Sequence, residues 1–305
     1  MRRALLAALL LCPLAIPAVA APNGAGWRSG WGIAQPPATT PQDADSGPIA
    51  SLALEGADRR WQARVDNHLA GPVQVGLRQP PGAAPLPGLP LRSVLAGASS
   101  VVVTRLQLPD GVPRLDLLLD AVPGDPAAQA QDVAYRLPFD AARLQVSQAP
   151  QGRFSHTDAE NRDAVDFALP EGTPVLAARA GRVMQVQGRF HGNGGSAPGD
   201  RERANFIRIL HPDGSMAVYA HLQPNGLRVR SGQPVQAGQP IGLSGNTGYS
   251  TAPHLHFVVQ VNAGMQLRSI PVRIVAPRGE LRFAREASGE GQAAPYRPAG
   301  GDTPL

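Results

Sequence analysis

Short runs of alternating apolar and polar residues fill most of this chain and limit the folds that it can adopt. Successive side chains of a β-strand point to opposite faces, so such alternation is typical of a strand with one buried face. Gly, Pro, Asn and Asp separate the runs, and no stretch keeps the helical period for long enough to compete. With 305 residues, 43% of them hydrophobic, there is material for two globular domains. The pattern therefore predicts an all-β protein.

The positions of the Gly-, Pro-, Asn- and Asp-rich segments between these runs predict how the chain is divided into domains. Residues 49–148, with runs such as "SLALEG" and "VQVGLRQ", are expected to form a β-sandwich-like accessory domain. Residues 149–276, with "ANFIRIL" and "LHFVVQV", are expected to form a second, antiparallel β domain. Within it, "HPDG" predicts a tight hairpin turn in which Gly214 has a positive φ. The Pro- and Gly-rich residues 21–48 and 277–305 are predicted to be a flexible linker and tail.

The first residues predict export. "MRRALLAALLLCPLAIPAVAAP" combines a basic start, an apolar run and small residues before a cleavage point, so residues 1–20 are predicted to be a signal peptide. An uncleaved membrane anchor is the alternative, but Pro13 and Pro17 interrupt a run that is already short for a bilayer. We expect a periplasmic, cell-envelope or secreted protein with no transmembrane segment after cleavage. Once Cys12 is removed no cysteine remains, so any metal must use His and carboxylate ligands.

Charge gives a weaker indication of partners. The formal net charge is +5 and every positive side chain is an arginine. The excess lies in the second half of the chain, which favours an anionic polymer such as the cell wall, although a scattered surplus is usually only a solvated surface. Because no basic run carries interleaved aromatic residues, the sequence does not predict nucleic-acid binding.

Two histidines at alternate positions open the apolar run in "STAPHLHFVVQV". On a strand, His254 and His256 project to one side while Leu255 and Phe257 project to the other. Two imidazoles on one face can bind a metal together, or one can bind while the other carries protons. The alternative is a pair of buried structural histidines.

A third histidine and an acid extend this pattern. In "SMAVYAHL", alternation places His221 at a strand end on the same face as Tyr219, with a hydrogen-bonded rim histidine as the alternative. Asp166 is an acid set in the otherwise apolar "AVDFAL", and a charge there needs a partner. Three imidazoles and one inward carboxylate in one β domain indicate a hydrolytic metal site.

Three stretches together resemble the lysostaphin-type zinc metalloendopeptidases, the M23 family that includes the LytM-like cell-wall enzymes. They are "ENRDAVDFALPEGTPVLAARAGRV", "ANFIRILHPDGSMAVYAHL" and "GLSGNTGYSTAPHLHF", and they cover nearly all of residues 150–275 in the family's order. The resemblance implies an antiparallel β fold with a shallow groove, one Zn²⁺, and hydrolysis of peptide bonds in peptidoglycan. It does not extend to the N-terminal domain.

The resemblance also implies roles for particular residues. Asp166 and His256 match metal ligands, and His221 and His254 match the non-ligand pair that activates water and stabilises the developing oxyanion. The loop Ser244–Thr251 and residues 191–203 are expected to flank the groove.

The third ligand departs from the commonest family pattern. That pattern has a histidine four positions before the aspartate, where this chain has Arg162. His156, ten positions before Asp166, resembles a longer-loop variant and is predicted to be the remaining ligand.

The sequence therefore predicts a secreted zinc endopeptidase acting on peptidoglycan peptides. A regulatory contact between the N-terminal domain and the groove is a further hypothesis. The alternative is a catalytically degenerate LytM-like domain that binds cell wall or regulates another wall hydrolase. A secreted protease acting on other Gly-rich proteins is a third hypothesis.

Overall fold

The computed structural model describes residues 47–112, 114–140, 144–192, 200 and 203–283. The predicted signal peptide, nearly all of the linker and most of the tail lie outside these residues, as does most of the loop 191–203. The described residues form β-strands and no α-helix, which confirms the all-β prediction. None of them belongs to a helix with the length and apolar character needed to cross a membrane.

The first strands in chain order are β1 (Ala50–Ala57), β2 (Arg60–Asn67), β3 (Val73–Arg78), β4 (Leu91–Leu95), β5 (Ser100–Gln107), β6 (Leu118–Pro123), β7 (Ala134–Arg136), β8 (Val146–Gln148), β9 (Val165–Ala168) and β10 (Pro174–Leu176). They are followed by β11 (Gly181–Gln187), β12 (Phe206–Leu210), β13 (Met216–Ala220), β14 (Pro234–Val235), β15 (Pro240–Leu243), β16 (His254–Asn262), β17 (Leu267–Ser269), β18 (Arg273–Ala276) and β19 (Gly279–Glu280).

The N-terminal strands form two three-stranded antiparallel sheets, in the orders β1-β2-β5 and β4-β3-β6. One hydrophobic cluster takes Val65 from β2 and Val75 from β3, so the two sheets share a core. Alternation analysis misses β4, because it directly follows a Pro- and Gly-rich segment whose composition indicates a loop.

The central sheet has the order β14-β11-β12-β13-β16-β9-β8, with β17 paired to the far end of β16. Leu255 and Phe257 belong to the main core, whereas Val258 packs with a separate cluster on the opposite face. This arrangement confirms that His256 lies on the face opposite Phe257, as alternation predicts. The predicted hairpin joins β12 to β13, and Gly214 there has a φ of 80°.

The N-terminal sheets pack against one end of the central sheet. Met184 of β11 and Met216 of β13 belong to the hydrophobic cluster of the N-terminal sheets. The backbone N–H of Ala70 donates to the carbonyl of Met184, and Asn262 Nδ2 donates to the carbonyl of Gly124. The contact therefore lies where β13 begins and β16 ends.

Strands β7 and β8 precede the predicted domain boundary at residues 148 and 149. In the structure β7 pairs with β18, and β8 pairs with β9 of the central sheet. Residues 134–136 and 146–148 are thus hydrogen-bonded to strands of the second half. The boundary itself stays a prediction.

Candidate metal centre

The pairing of β9 with β16 places a carboxylate beside an imidazole. Asp166 and His256 are direct partners in the antiparallel register, so their side chains lie next to each other on one face. The distance from His256 Nδ1 to Asp166 Oδ1 is 2.8 Å. Both side chains are buried, so this polar pair is formed within the sheet and away from solvent.

His156 joins this pair from a segment of turns rather than from a strand. Its Nε2 lies 3.2 Å from Asp166 Oδ1, and its ring centroid lies 5.4 Å from that of His256. The ligand atoms of His156, Asp166 and His256 all lie within 4.8 Å of one another. Arg162 is exposed, so the residue at the commonest family position is not the one that meets the carboxylate.

The cluster fits a bound metal. His156 is only 2% exposed, and its Nε2 has no hydrogen-bond partner among the described residues although it faces Asp166. A buried nitrogen lone pair without a donor is costly in a protein interior but is what a metal ion requires. Two imidazoles and one carboxylate, three protein ligands in all, make up a donor set that Zn²⁺ uses at catalytic sites.

His221 lies beside the cluster but not on the expected face. Its ring centroid is 4.5 Å from that of His254 and 5.8 Å from that of His256, whereas Tyr219 packs in the main core on the other side of the sheet. The prediction of a face shared with Tyr219 is wrong. Strand β13 ends at Ala220, and His221 has a φ of 62°, so the alternation of the strand no longer applies to it.

Hydrogen bonds to backbone carbonyls orient the two non-cluster histidines. His221 Nδ1 lies 2.7 Å from the carbonyl oxygen of Thr247, and His254 Nδ1 lies 2.8 Å from that of Ala252. A carbonyl oxygen only accepts, so Nδ1 carries the proton in each ring and Nε2 keeps its lone pair. His254 Nε2 lies 3.9 Å from Asp166 Oδ1, which shows that this lone pair faces the cluster.

The environment sets the charge of these groups. Burial alone raises the pKa of Asp166, but the adjacent imidazoles of His156 and His256 outweigh it and hold that pKa well below its usual range. Burial, and then the neighbouring imidazoles, lower the pKa of His221 to about 3. Burial likewise lowers the pKa of His254, against the opposing charge of Asp166. At neutral pH the centre therefore combines an anionic carboxylate with the neutral imidazoles of His221 and His254, which can accept protons.

Two amide side chains that sequence reasoning misses support the cluster. Gln148 Nε2 donates to Asp166 Oδ2 at 3.1 Å and to Ser155 Oγ at 2.7 Å. Asn161 Oδ1 lies 3.2 Å from His256 Nε2. Amides carry no charge and occur everywhere in sequences, so only the register that pairs Gln148 with Asp166 could have indicated the first contact.

One of the loops predicted to flank the groove lies beside these residues. Ser250 Oγ is 3.1 Å from His254 Nδ1, and Tyr249 stacks on Phe154 with ring centroids 5.6 Å apart. Phe154 remains 53% exposed. The stack joins the loop Ser244–Thr251 to the segment that carries His156. Most of the other predicted loop, residues 191–203, lies outside the described residues.

The arrangement of these residues agrees with a comparison of the sequence with known families. Residues 160–267 match the profile of "Peptidase family M23". This chain contains an M23 peptidase domain. The match includes Asp166, His221, His254 and His256 but begins after His156. The position of His156 within the M23 domain's site therefore rests on the geometry described above.

Known relatives of the M23 domain cover only part of this chain. "Peptidoglycan DD-endopeptidase ShyA" of Vibrio cholerae is 37% identical over 122 residues, which are 39% of this chain and 25% of ShyA. Lysostaphin of Staphylococcus staphylolyticus is 41% identical over 100 residues, 32% of this chain and 18% of lysostaphin. The solved catalytic domain of lysostaphin from Staphylococcus simulans is 35% identical with a TM-score of 0.28, covering 40% of this chain and 82% of that domain. This chain thus spans a quarter or less of these two curated relatives.

Proposed function

We propose that this chain is a zinc endopeptidase that hydrolyses peptide bonds in peptidoglycan stem peptides or cross-bridges. The observation that carries the proposal is the convergence of His156, Asp166 and His256, whose ligand atoms lie within 4.8 Å of one another. Relatives named as a peptidoglycan DD-endopeptidase, a DD-carboxypeptidase/endopeptidase and lysostaphin support the substrate class.

The proposed metal site uses His156 Nε2, Asp166 Oδ1 and His256 Nδ1 to hold one Zn²⁺. The chemistry that zinc supplies when bound is Lewis acidity, which polarises a carbonyl group and acidifies water. Gln148 engages the other carboxylate oxygen of Asp166, so that Oδ1 is the oxygen directed at both imidazoles.

His221 and His254 are proposed to move protons beside this site. Each ring donates its Nδ1 proton to a backbone carbonyl and keeps a lone pair on Nε2. One imidazole of the pair accepts a proton from the attacking water and passes it to the leaving amine. The other orients the same water by accepting a hydrogen bond at its own Nε2, because a ring without an Nε2 proton cannot donate to an oxyanion. Their lowered pKa values support this role, because a neutral imidazole is the form that accepts a proton.

We also propose that the protein is exported to the periplasm, the cell envelope or the medium. Residues 1–20 have the sequence pattern of a signal peptide, and peptidoglycan lies outside the cytoplasmic membrane.

The N-terminal sheets are proposed to position the M23 domain or to regulate it by contact with the groove. The N-terminal half of the chain contacts β16 at Asn262, which hydrogen-bonds to Gly124. Asn262 is six residues from His256 along β16, a distance of about 20 Å at the rise of a β-strand. This separation supports a positioning role over occlusion of the site.

Digestion of purified sacculi, with mass spectrometry of the released fragments, tests the function. Wild-type protein is compared with His256→Ala and with Arg162→Ala, a control at an exposed position. We expect peptide-bond cleavage products from the wild type and the control but none from His256→Ala. Zinc-loaded protein that binds sacculi without cleaving them would instead establish the binding role. Cleavage restricted to Gly-rich proteins would point to a different substrate.

A further inference from the structure

The four histidines of the centre do not all use the same hydrogen-bonding scheme. His156, His221 and His254 each place Nδ1 within 2.9 Å of a backbone carbonyl oxygen, namely those of Ala149, Thr247 and Ala252. These rings therefore present Nε2 toward the cluster. His256 is reversed, because its Nδ1 faces Asp166 and its Nε2 points away from the carboxylate.

The group behind His256 is a side chain whose orientation is itself fixed. Asn161 Oδ1 lies 3.2 Å from His256 Nε2. Asn161 Nδ2 donates to Asp158 Oδ1 at 2.9 Å, and the backbone N–H of Asn161 donates to the same oxygen. The carboxylate of Asp158 accepts a hydrogen bond from the amide nitrogen of Asn161. The amide oxygen of Asn161 must therefore be the atom that faces His256.

We propose that Asn161, held by Asp158, is a positioning residue that sets the tautomer and ring orientation of His256. Asp166 Oδ1 and the amide oxygen of Asn161 both only accept, and a metal held between Nδ1 and Asp166 would use the Nδ1 lone pair. In the metal-bound site the proton of the neutral ring is therefore held on Nε2, where Asn161 accepts it. The inference rests on the metal site of the proposed function and adds to it a residue that acts through His256 alone.

The segment that carries Asn161 has other anchors. The backbone N–H of Ser269 donates to the carbonyl of Ala159 at 2.7 Å, and Gln260 Nε2 donates to the carbonyl of Glu160 at 3.0 Å. Because these bonds do not use the Asn161 side chain, replacing that side chain should leave the segment in place. The effect of Asn161 can thus be separated from the folding of the segment.

Three variants test the proposal: Asn161→Ala, Asn161→Asp and the control Arg162→Ala. Asn161→Asp keeps an oxygen that can accept the Nε2 proton of His256, whereas Asn161→Ala removes it. The zinc dissociation constant is measured by competition with a chelator. In zinc-loaded, ¹⁵N-labelled protein, NMR records whether His256 Nε2 carries a proton that exchanges slowly with water.

We expect Asn161→Ala to weaken zinc binding by roughly 10- to 100-fold, in line with the loss of other partners of metal-bound histidines. In this variant the Nε2 proton of His256 should exchange rapidly with water. Asn161→Asp should keep the Nε2 proton of His256 protected, and Arg162→Ala should match the wild type. Wild-type affinity and a protected proton in a folded Asn161→Ala would overturn the inference alone. A wild-type protein that binds no zinc would overturn the inference and the proposed metal site together.

Discussion

His221 and His254 face each other across the end of the central sheet, with ring centroids 4.5 Å apart. One follows the last residue of β13 and the other begins β16. Each is held through Nδ1 by a backbone carbonyl, so the pair is oriented before any substrate binds.

Replacing either member of this pair should reduce catalysis without removing the metal. We expect His221→Asn and His254→Asn to retain one zinc per chain and to lose about 10²- to 10⁴-fold in kcat, the usual contribution of a positioned acid or base. Asn suits position 221 because it tolerates the positive φ found there. Metal analysis and steady-state kinetics on a peptidoglycan peptide test this, and loss of zinc from either variant would contradict the assignment.

His156 and Arg162 provide a direct test of the third ligand. His156 Nε2 is buried and faces Asp166, whereas Arg162 is exposed. We expect His156→Ala to lose stoichiometric zinc and hydrolysis, and Arg162→Ala to keep both. Zinc content after dialysis separates the two. A fully active His156→Ala would show that another group completes the site.

The stability of the fold should depend on pH through His211. Burial, with the charge of Arg179 adding to it, lowers the pKa of His211 to about 4 although a hydrogen bond to the carbonyl of Ala180 opposes the shift. An unfolded histidine has a pKa of about 6.5, so as the pH falls from 6.5 to 4 the unfolded chain takes up a proton that the folded chain does not. The free energy of unfolding should therefore fall over this range, by up to about 3 kcal/mol, and then level off.

Denaturant unfolding at several pH values, for wild type and His211→Gln, measures this effect. The difference between the two proteins isolates His211 from the other histidines. An identical dependence on pH in both proteins would show that His211 titrates normally in the folded state.

The hydroxyl of Tyr219 should stabilise the fold without serving the metal centre. Tyr219 is fully buried, and its hydroxyl oxygen accepts the backbone N–H of Ala178 at 2.8 Å. Tyr219→Phe leaves that N–H without its partner, which costs about 1–3 kcal/mol of stability. Thermal denaturation gives the loss, and zinc content should be unchanged. A variant as stable as the wild type would mean that water replaces the lost acceptor.

Local sequence patterns determined a large part of the strand structure and of the candidate site of this protein. Alternation along "HLHFVVQV" places His254 and His256 on one face because side chains in a strand have a period of two. The turn at Gly214 follows in the same way from a residue that accepts a positive φ. The resemblance to the M23 family implied roles for residues that these patterns had already singled out: Asp166 and His256 as metal ligands, and His221 and His254 as the non-ligand pair.

Only the tertiary structure decided how these residues meet. The register of β9 against β16 brings Asp166 opposite His256, and such pairing between distant segments cannot be read from local alternation. The face of His221 depends on one positive φ after the end of a strand. The path of the segment between β8 and β9 places His156, rather than Arg162, beside Asp166. It also brings Asn161 to His256. The path of such a loop depends on the hydrogen bonds that anchor it to the folded sheet, and the loop's own sequence does not reveal them.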